Sequence, residues 1–298
     1  MLLQEKMETT DFSPSEQIVV SFILEKQELI QNYTTTAIAG ETYVSPSILV
    51  RISKKLGFNG FNDFKKAFLE EVSYLKTNFQ NLDANQPFSA KDSIMTIAAS
   101  ISALKHESLK DTMALLHHDS LQKAVLLLQK ARTIKVFTIS NLTFVAEEFV
   151  FKLRHIGLNA ETYSISNTMI QEAYMTAADT CAICISYSGE SPELLLVTKA
   201  LKKNHIPIIA ISSVGENSLT RMGNVVLQLA TRERSYSKIG AFSSLESLSL
   251  ILDILYSCLF KTGYDRHYAY KVKLSKTTEF RVIDNSIIQE NDSGGMFE

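Results

Sequence analysis

The sequence predicts two folded units in series, a small all-α domain that carries a helix-turn-helix and then an α/β doubly wound parallel sheet. Three observations predict this. Up to about residue 76 apolar residues recur at helical spacing with little strand signal. Beyond Arg132 short apolar, β-rich runs alternate with helical stretches. Between the two lies a polar segment, 78–91, holding Pro87, the only proline between residues 47 and 191. The domains expected are 1–77 helix-turn-helix, 78–91 linker, 92–131 bridging helices, 132–262 sheet domain and 263–298 polar tail.

Composition narrows the classes. The 298 residues are 45% hydrophobic and 21% charged, which suits about two globular domains. Net charge is −2, so a polyanion partner has to be met by a local patch rather than by the whole surface. Three cysteines are too few for a disulfide framework and point to a reducing compartment. The start, MLLQEKMETTDF, has no basic-then-apolar leader pattern, and the apolar runs fall short of the ~20 residues of a membrane span. A cytoplasmic protein with no membrane partner is expected.

Residues 1–11 are polar and are expected to be loose. Ser13-Pro14-Ser15-Glu16 is a good helix opening, a capping serine followed by proline in the first turn, and Ile18, Val19, Phe22, Ile23 and Ile30 form the expected buried stripe. Helical patterns follow at 35–42, 46–56 and 62–74, then at 92–116 and 120–131. Strands are expected at 134–139, 160–165, 181–186, 207–213 and 225–230. Helices are expected between them at 144–156, 168–177, 191–204 and 217–222. A helix over 243–260 closes the domain, and the tail beyond Tyr270 is expected to fray.

The segment 35–58 carries the first constellation. Ser45 can cap a helix beginning at Pro46, and Gly57 can end it in a left-handed turn. Ile48, Leu49, Ile52 and Leu56 then share one face, which leaves Ser47, Val50, Arg51, Lys54 and Lys55 outward. Across 51–66 the basic residues Arg51, Lys54, Lys55, Lys65 and Lys66 face a single acid, Asp63. A short helix, the turn Thr42-Tyr43-Val44 and a basic second helix are the layout that presents a helix to the major groove. Ser45, Ser47, Val50, Arg51, Lys54 and Lys55 are the candidate DNA-contacting residues.

The second constellation follows the apolar run 181–186. Ser186-Tyr187-Ser188-Gly189-Glu190-Ser191 passes from strand end to helix start, where free amides, the helix dipole and the hydroxyls of Ser186, Ser188 and Ser191 suit an anion. Gly189 allows close backbone approach.

These residues resemble a known family. Ser13-Pro14-Ser15-Glu16, Ala39, Val44-Ser45, Arg51, Lys54-Lys55-Leu56-Gly57-Phe58-Asn59-Gly60-Phe61 and Phe64-Lys65 resemble the N-terminal domain of RpiR-type bacterial transcription regulators. The run from Ile185 to Ser191 resembles the signature loop of SIS (sugar isomerase) domains, and Ala210-Ile211-Ser212-Ser213 fits a further polar loop of that fold. The resemblance implies a double-stranded DNA operator, a phosphosugar effector, a homodimer or homotetramer, and no cofactor, metal site or catalytic residue. It adds Ser213 to the effector candidates. Two departures stand out. Tyr43 occupies the turn position that is usually glycine. The usual Gly-x-Gly-x-Ser after the first strand is Thr138-Ile139-Ser140-Asn141-Leu142, with both glycines and the serine replaced; Asn141 is the remaining donor there.

Other features read as structural. Cys181 and Cys184 point to opposite faces of one strand, His117-His118 lack companion ligands, and Phe61, Phe64 and Phe68 have core spacing. Glu246 is expected to cap the last helix. The rival functions are a phosphosugar aldose–ketose isomerase, for which Glu246 is the only base in view, and a dimerising repressor that has lost its ligand.

Overall fold

Helical signals at the start of the chain resolve into a bundle that its tertiary core completes. A computed structural model describes residues 2–76 and 82–278, with 280, 281, 285 and 287–289 beyond them. The bundle is α1 (Leu3–Thr9), α2 (Pro14–Lys26), a 3-10 turn (Gln27–Asn32), α3 (Thr35–Glu41), α4 (Ser47–Lys55) and α5 (Phe61–Lys76). Its core holds Val19, Ile23, Ile38, Leu49, Ile52, Phe64 and Phe68, so the phenylalanine stripe is packing. Val20 is buried in place of the expected Ile18, which is half exposed. The N-terminal segment is ordered as α1, contrary to expectation. Met7 is fully buried, and the Glu71 carboxylate accepts the otherwise orphaned amides of Leu3 and Gln4.

The expected linker lies partly outside the described residues, at 77–81. Its second half is docked: Asn85 Oδ1 accepts from the Arg234 amide, and the Asn85 carbonyl accepts from the Ile239 amide. Helices α6 (Ile94–Leu115) and α7 (His118–Lys130) lead into the sheet.

Five strands, β1 (Thr133–Thr138), β2 (Ala160–Tyr163), β3 (Thr180–Ile185), β4 (Ile208–Ser213) and β5 (Val225–Leu229), form one parallel sheet in the order β2-β1-β3-β4-β5. They alternate with α8 (Leu142–Arg154), α9 (Ser166–Tyr174), α10 (Pro192–Lys203) and a 3-10 turn (Thr220–Met222), and α11 (Phe242–Lys261) follows β5. One face packs on α7, α8 and α11, the other on α9 and α10. Cys181 belongs to the first core and Cys184 to the second, and burial pushes both thiols up to about 12, so they are no redox pair. Helix α11 has the length and apolarity of a membrane span, with a mean hydropathy of 1.4 over its most apolar window. Leu248, Ile251, Leu252, Leu255 and Leu259 nevertheless bury in the sheet core. Hydroxyls tie it to α6, with Ser108 Oγ to Ser243 Oγ and Thr112 Oγ1 to Ser247 Oγ each at 2.8 Å.

The polar tail needs correction. Residues Tyr264–Thr278 form α12, which continues well past Tyr270. Its helical pattern is weak because only His267 is fully buried, 3.0 Å from the Phe260 carbonyl, while the Tyr270 ring lies against the Gly157 turn. The fraying expected at 290–298 lies outside the described residues.

Candidate nucleic-acid interface and effector site

The reading helix is α4. It starts at Ser47, with Pro46 at the cap, and Ser45 Oγ accepts from the Ser47 amide over a long 3.4 Å. Leu49 and Ile52 bury while Ser47, Val50, Arg51 and Lys54 stay exposed, one solvent face at helical spacing. Gly57 ends the helix at φ +93°, as the sequence predicts.

The turn before α4 is strained at one residue. Tyr43 sits at φ +54° and is 96% exposed, so nothing packs on its ring in compensation. The left-handed region costs an L-residue ~1–2 kcal/mol, part of which glycine would return as unfolded-state entropy. Tyr43→Gly is therefore expected to raise unfolding free energy by about 0.5–1 kcal/mol, read from urea melts. An unchanged or lower midpoint would mean that Tyr43 makes a compensating contact.

Glu16 is the feature of this face that sequence reasoning missed. Its carboxylate is 1% exposed, accepts from the Ser13 amide at 2.8 Å, and pairs with Arg51 Nε at 2.6 Å and Lys55 Nζ at 2.7 Å. Burial alone would push this carboxyl up, but Lys55, the Ser13 amide and Arg51 outweigh it and hold it at about 2. The carboxylate thus stabilises the fold above its usual value of 4.5, and that contribution is lost as pH falls toward 2. Two of the five expected cations are therefore partnered, and Lys65 Nζ donates to the Gln31 and Tyr33 carbonyls. Lys54 makes no hydrogen bond or ion pair with the described residues.

The second site lies at the carboxyl edge of the sheet, where strand order reverses between β1 and β3, the place where open α/β sheets take ligands. Ser186 is buried; its Oγ accepts from the Gly189 amide at 3.1 Å and bonds Ser191 Oγ at 3.0 Å. Ser188 is exposed, and its Oγ accepts from the Glu190 amide at 3.2 Å. Gly189 needs to be glycine: φ is +69°, and a Cβ would sit 2.1 Å from Asn217 Oδ1. Ser191 stands at the cap position of α10, with Pro192 in the first turn. The loop already holds two amides on its own hydroxyls, which an anion could take over. Ser213, at the end of β4, donates its amide to the Tyr187 carbonyl and is half-buried, whereas Ser212 beneath it is fully buried against Asn217.

The β1 end differs as its sequence does. Ser140 adopts φ +60°, the conformation that glycine would take without strain. Asn141 is exposed at the cap of α8, and Leu142 turns into the core at 5% exposure. Thr138 Oγ1 is buried at the strand end without a hydrogen-bond partner among the described residues. The structure thus brings Ser186, Ser188, Gly189 and Ser191 into one loop, with Ser213 and Asn141 on the flanking strand ends.

Glu246 does not cap α11. It lies one turn inside the helix and pairs with Lys105 at 2.7 Å. The cap is Glu233, whose buried carboxylate accepts from the Ser243 and Ser244 amides and from Ser244 Oγ, and pairs with Lys238 at 2.9 Å. Tyr187 OH donates to the Glu233 carbonyl, and Lys238 Nζ lies 4.8 Å from the Tyr187 ring centre, so this segment folds over the hydroxyl loop. Among the described residues no group of three or more His, Cys, Asp and Glu side chains could hold a metal.

Comparison with known proteins agrees with both halves. Residues 1–74 match the helix-turn-helix domain of the rpiR family, and residues 127–257 match the SIS domain. Among solved structures, the Vibrio vulnificus NanR protein complexed with ManNAc-6P is 21% identical, covering 92% of this chain and 97% of that one, with a TM-score of 0.58. The sugar isomerase domain of an RpiR transcription factor from Sphaerobacter thermophilus is 15% identical, covering 60% and 98%, at 0.55. An E. coli CFT073 protein in complex with arabinose 5-phosphate is 16% identical, covering 60% and 99%, at 0.52. At these identities the likeness to the solved structures is one of fold.

Proposed function

Because the chain belongs to the RpiR-type transcription regulators by both of its domains, we propose that it reads an operator with α4 and senses a phosphosugar at 186–191. The observation that carries the sensing half is the hydroxyl loop set on the amino end of α10 at the sheet's switch point. Ser47, Val50, Arg51 and Lys54 face the groove, and Ser45 and Lys55 flank it. Asn141, Ser186, Ser188, Gly189, Ser191 and Ser213 surround the effector. The protein works in the cytoplasm as a homodimer or homotetramer on a pseudo-palindromic operator, since one helix reads few base pairs. Exposed Ile94, Met95 and Met113 on α6 and Phe144 and Phe151 on α8 supply apolar surface for pairing. No reaction on the sugar is part of this reading, and the Lys105 pairing of Glu246 disfavours it as an isomerase base.

With no Lys or Arg between Arg154 and Lys199, the loop holds a dianion by dipoles and hydroxyls, which suits a Kd of about 10 μM to 1 mM. NanR and the E. coli relative were solved with ManNAc-6P and arabinose 5-phosphate, so both are first probes. Calorimetry is expected to show heat with at least one of them and none with its unphosphorylated sugar. Ser188→Ala is expected to weaken that binding by about 5- to 30-fold. Equal binding of sugar and phosphosugar, or no binding by either, would favour the ligand-free repressor that the altered β1 loop suggests.

A further inference from the structure

We infer that Lys6 and Glu216 form a latch that ties the reading helix to the state of the effector loop, an inference that rests on the reading of 186–191 as that loop. Lys6 Nζ donates to the carbonyl of Leu56, the last turn of α4, at 3.1 Å and to Glu216 Oε2, 210 residues along the chain, at 3.3 Å. Glu216 precedes Asn217, and Asn217 is wedged over Gly189 in the effector loop. Two further bonds fasten this segment to the loop: Leu219 N–H donates to the Gly189 carbonyl at 3.1 Å, and Ser218 N–H donates to Glu190 Oε1 at 2.8 Å. Gly189, Asn217, Glu216 and Lys6 thus connect the candidate phosphate site to the end of the recognition helix.

The surroundings favour motion about this contact. A cleft of about 1060 Å³ opens between the helical bundle and the sheet domain, so the two meet at polar points beside open space. Contacts of that kind leave domains free to shift at small cost. The latch touches only the far end of α4 and leaves its outward face uncovered, so the latched arrangement is the one competent for operator. A dianion that takes the Gly189 and Glu190 amides from Ser186 and Ser188 rearranges the turn on which Asn217 rests. It also adds negative charge on the Glu216 side. Both effects open the latch and weaken operator binding.

The test is a double-mutant cycle in the full-length protein without effector: wild type, Lys6→Gln, Glu216→Gln and the double variant, titrated against one operator fragment at fixed salt. Each single is expected to raise Kd by about two- to fivefold, the range of a partly exposed ion pair, with the double no worse than either single. Singles that match wild type, or a double equal to the product of the singles, would overturn the latch. Thermal melts of all four exclude loss of folding as the cause. A second arm repeats wild type and Lys6→Gln with the two phosphosugars named above. Operator weakening by phosphosugar in wild type and its loss in Lys6→Gln would support the route from loop to helix. Weakening that persists undiminished in Lys6→Gln would overturn it. If neither phosphosugar binds wild type, the effector reading fails; Asn217→Ala, made alone and with Lys6→Gln, then decides the latch. A non-additive pair supports it, and independent effects overturn it.

Discussion

Replacing Glu233 with alanine is expected to remove about 3 kcal/mol from the unfolding free energy of the sheet domain. The Glu233 side chain is fully buried, yet it satisfies two amides at the start of α11, the Ser244 hydroxyl and Lys238. Alanine leaves those donors unpaired at the end of a helix that supplies much of the sheet's core. The loss sits at the low end for a broken buried ion pair, because Lys238 keeps a path to water at 19% exposure. Glu233→Gln keeps an acceptor and is expected to lose about half as much. Urea melts of the full chain read both, and a Glu233→Ala loss under about 1 kcal/mol would show that water replaces the carboxylate at the cap. Because Tyr187 OH bonds the Glu233 backbone, the alanine variant is also expected to loosen the hydroxyl loop and weaken any phosphosugar bound there.

The second large effect is expected at the reading face. Arg51→Ala should cost about 1–3 kcal/mol of operator binding, and Lys54→Ala should weaken all sequences alike while lowering the salt slope by about one. The two differ because Arg51 is already held at Nε by Glu16, which fixes its stem while the side chain stays 57% exposed. Lys54 has no such partner among the described residues and acts as a mobile charge on phosphate. Fluorescence anisotropy at several salt concentrations, on operator and scrambled duplexes, separates them. Operator affinity unchanged in Arg51→Ala at fixed salt would remove Arg51 from the interface.

What the sequence made legible was what periodicity and turn chemistry encode. The five strands, α4 with its buried and exposed faces, the left-handed Gly57 and the strained Tyr43 all follow from residues close in the chain. The hydroxyl loop was legible for the same reason. What escaped is pairing over distance. Glu16 reads as a capping residue, and nothing local shows that its oxygens reach Arg51, 35 residues on. Glu246 is the acid nearest the start of α11 in sequence, yet the cap comes from Glu233 in the preceding loop. Helices α1 and α12 were missed because each is anchored by few residues, Met7 with Glu71 in one case and His267 with Tyr270 in the other.

The buried Leu142 also governs which neighbouring sequences this chain can reach one substitution at a time. Returning Ser140 to glycine would relax a φ of +60° and is energetically downhill. Returning Leu142 to serine would open a void in the core beneath α8 and place a hydroxyl there, a cost of about 3 kcal/mol or more. That is a large part of the stability of a typical domain. A lineage selected for firmer phosphate contact at this loop would therefore find position 140 open and position 142 closed until some stabilising change elsewhere came first. New donors would arise most readily at Asn141, which is exposed and free to vary.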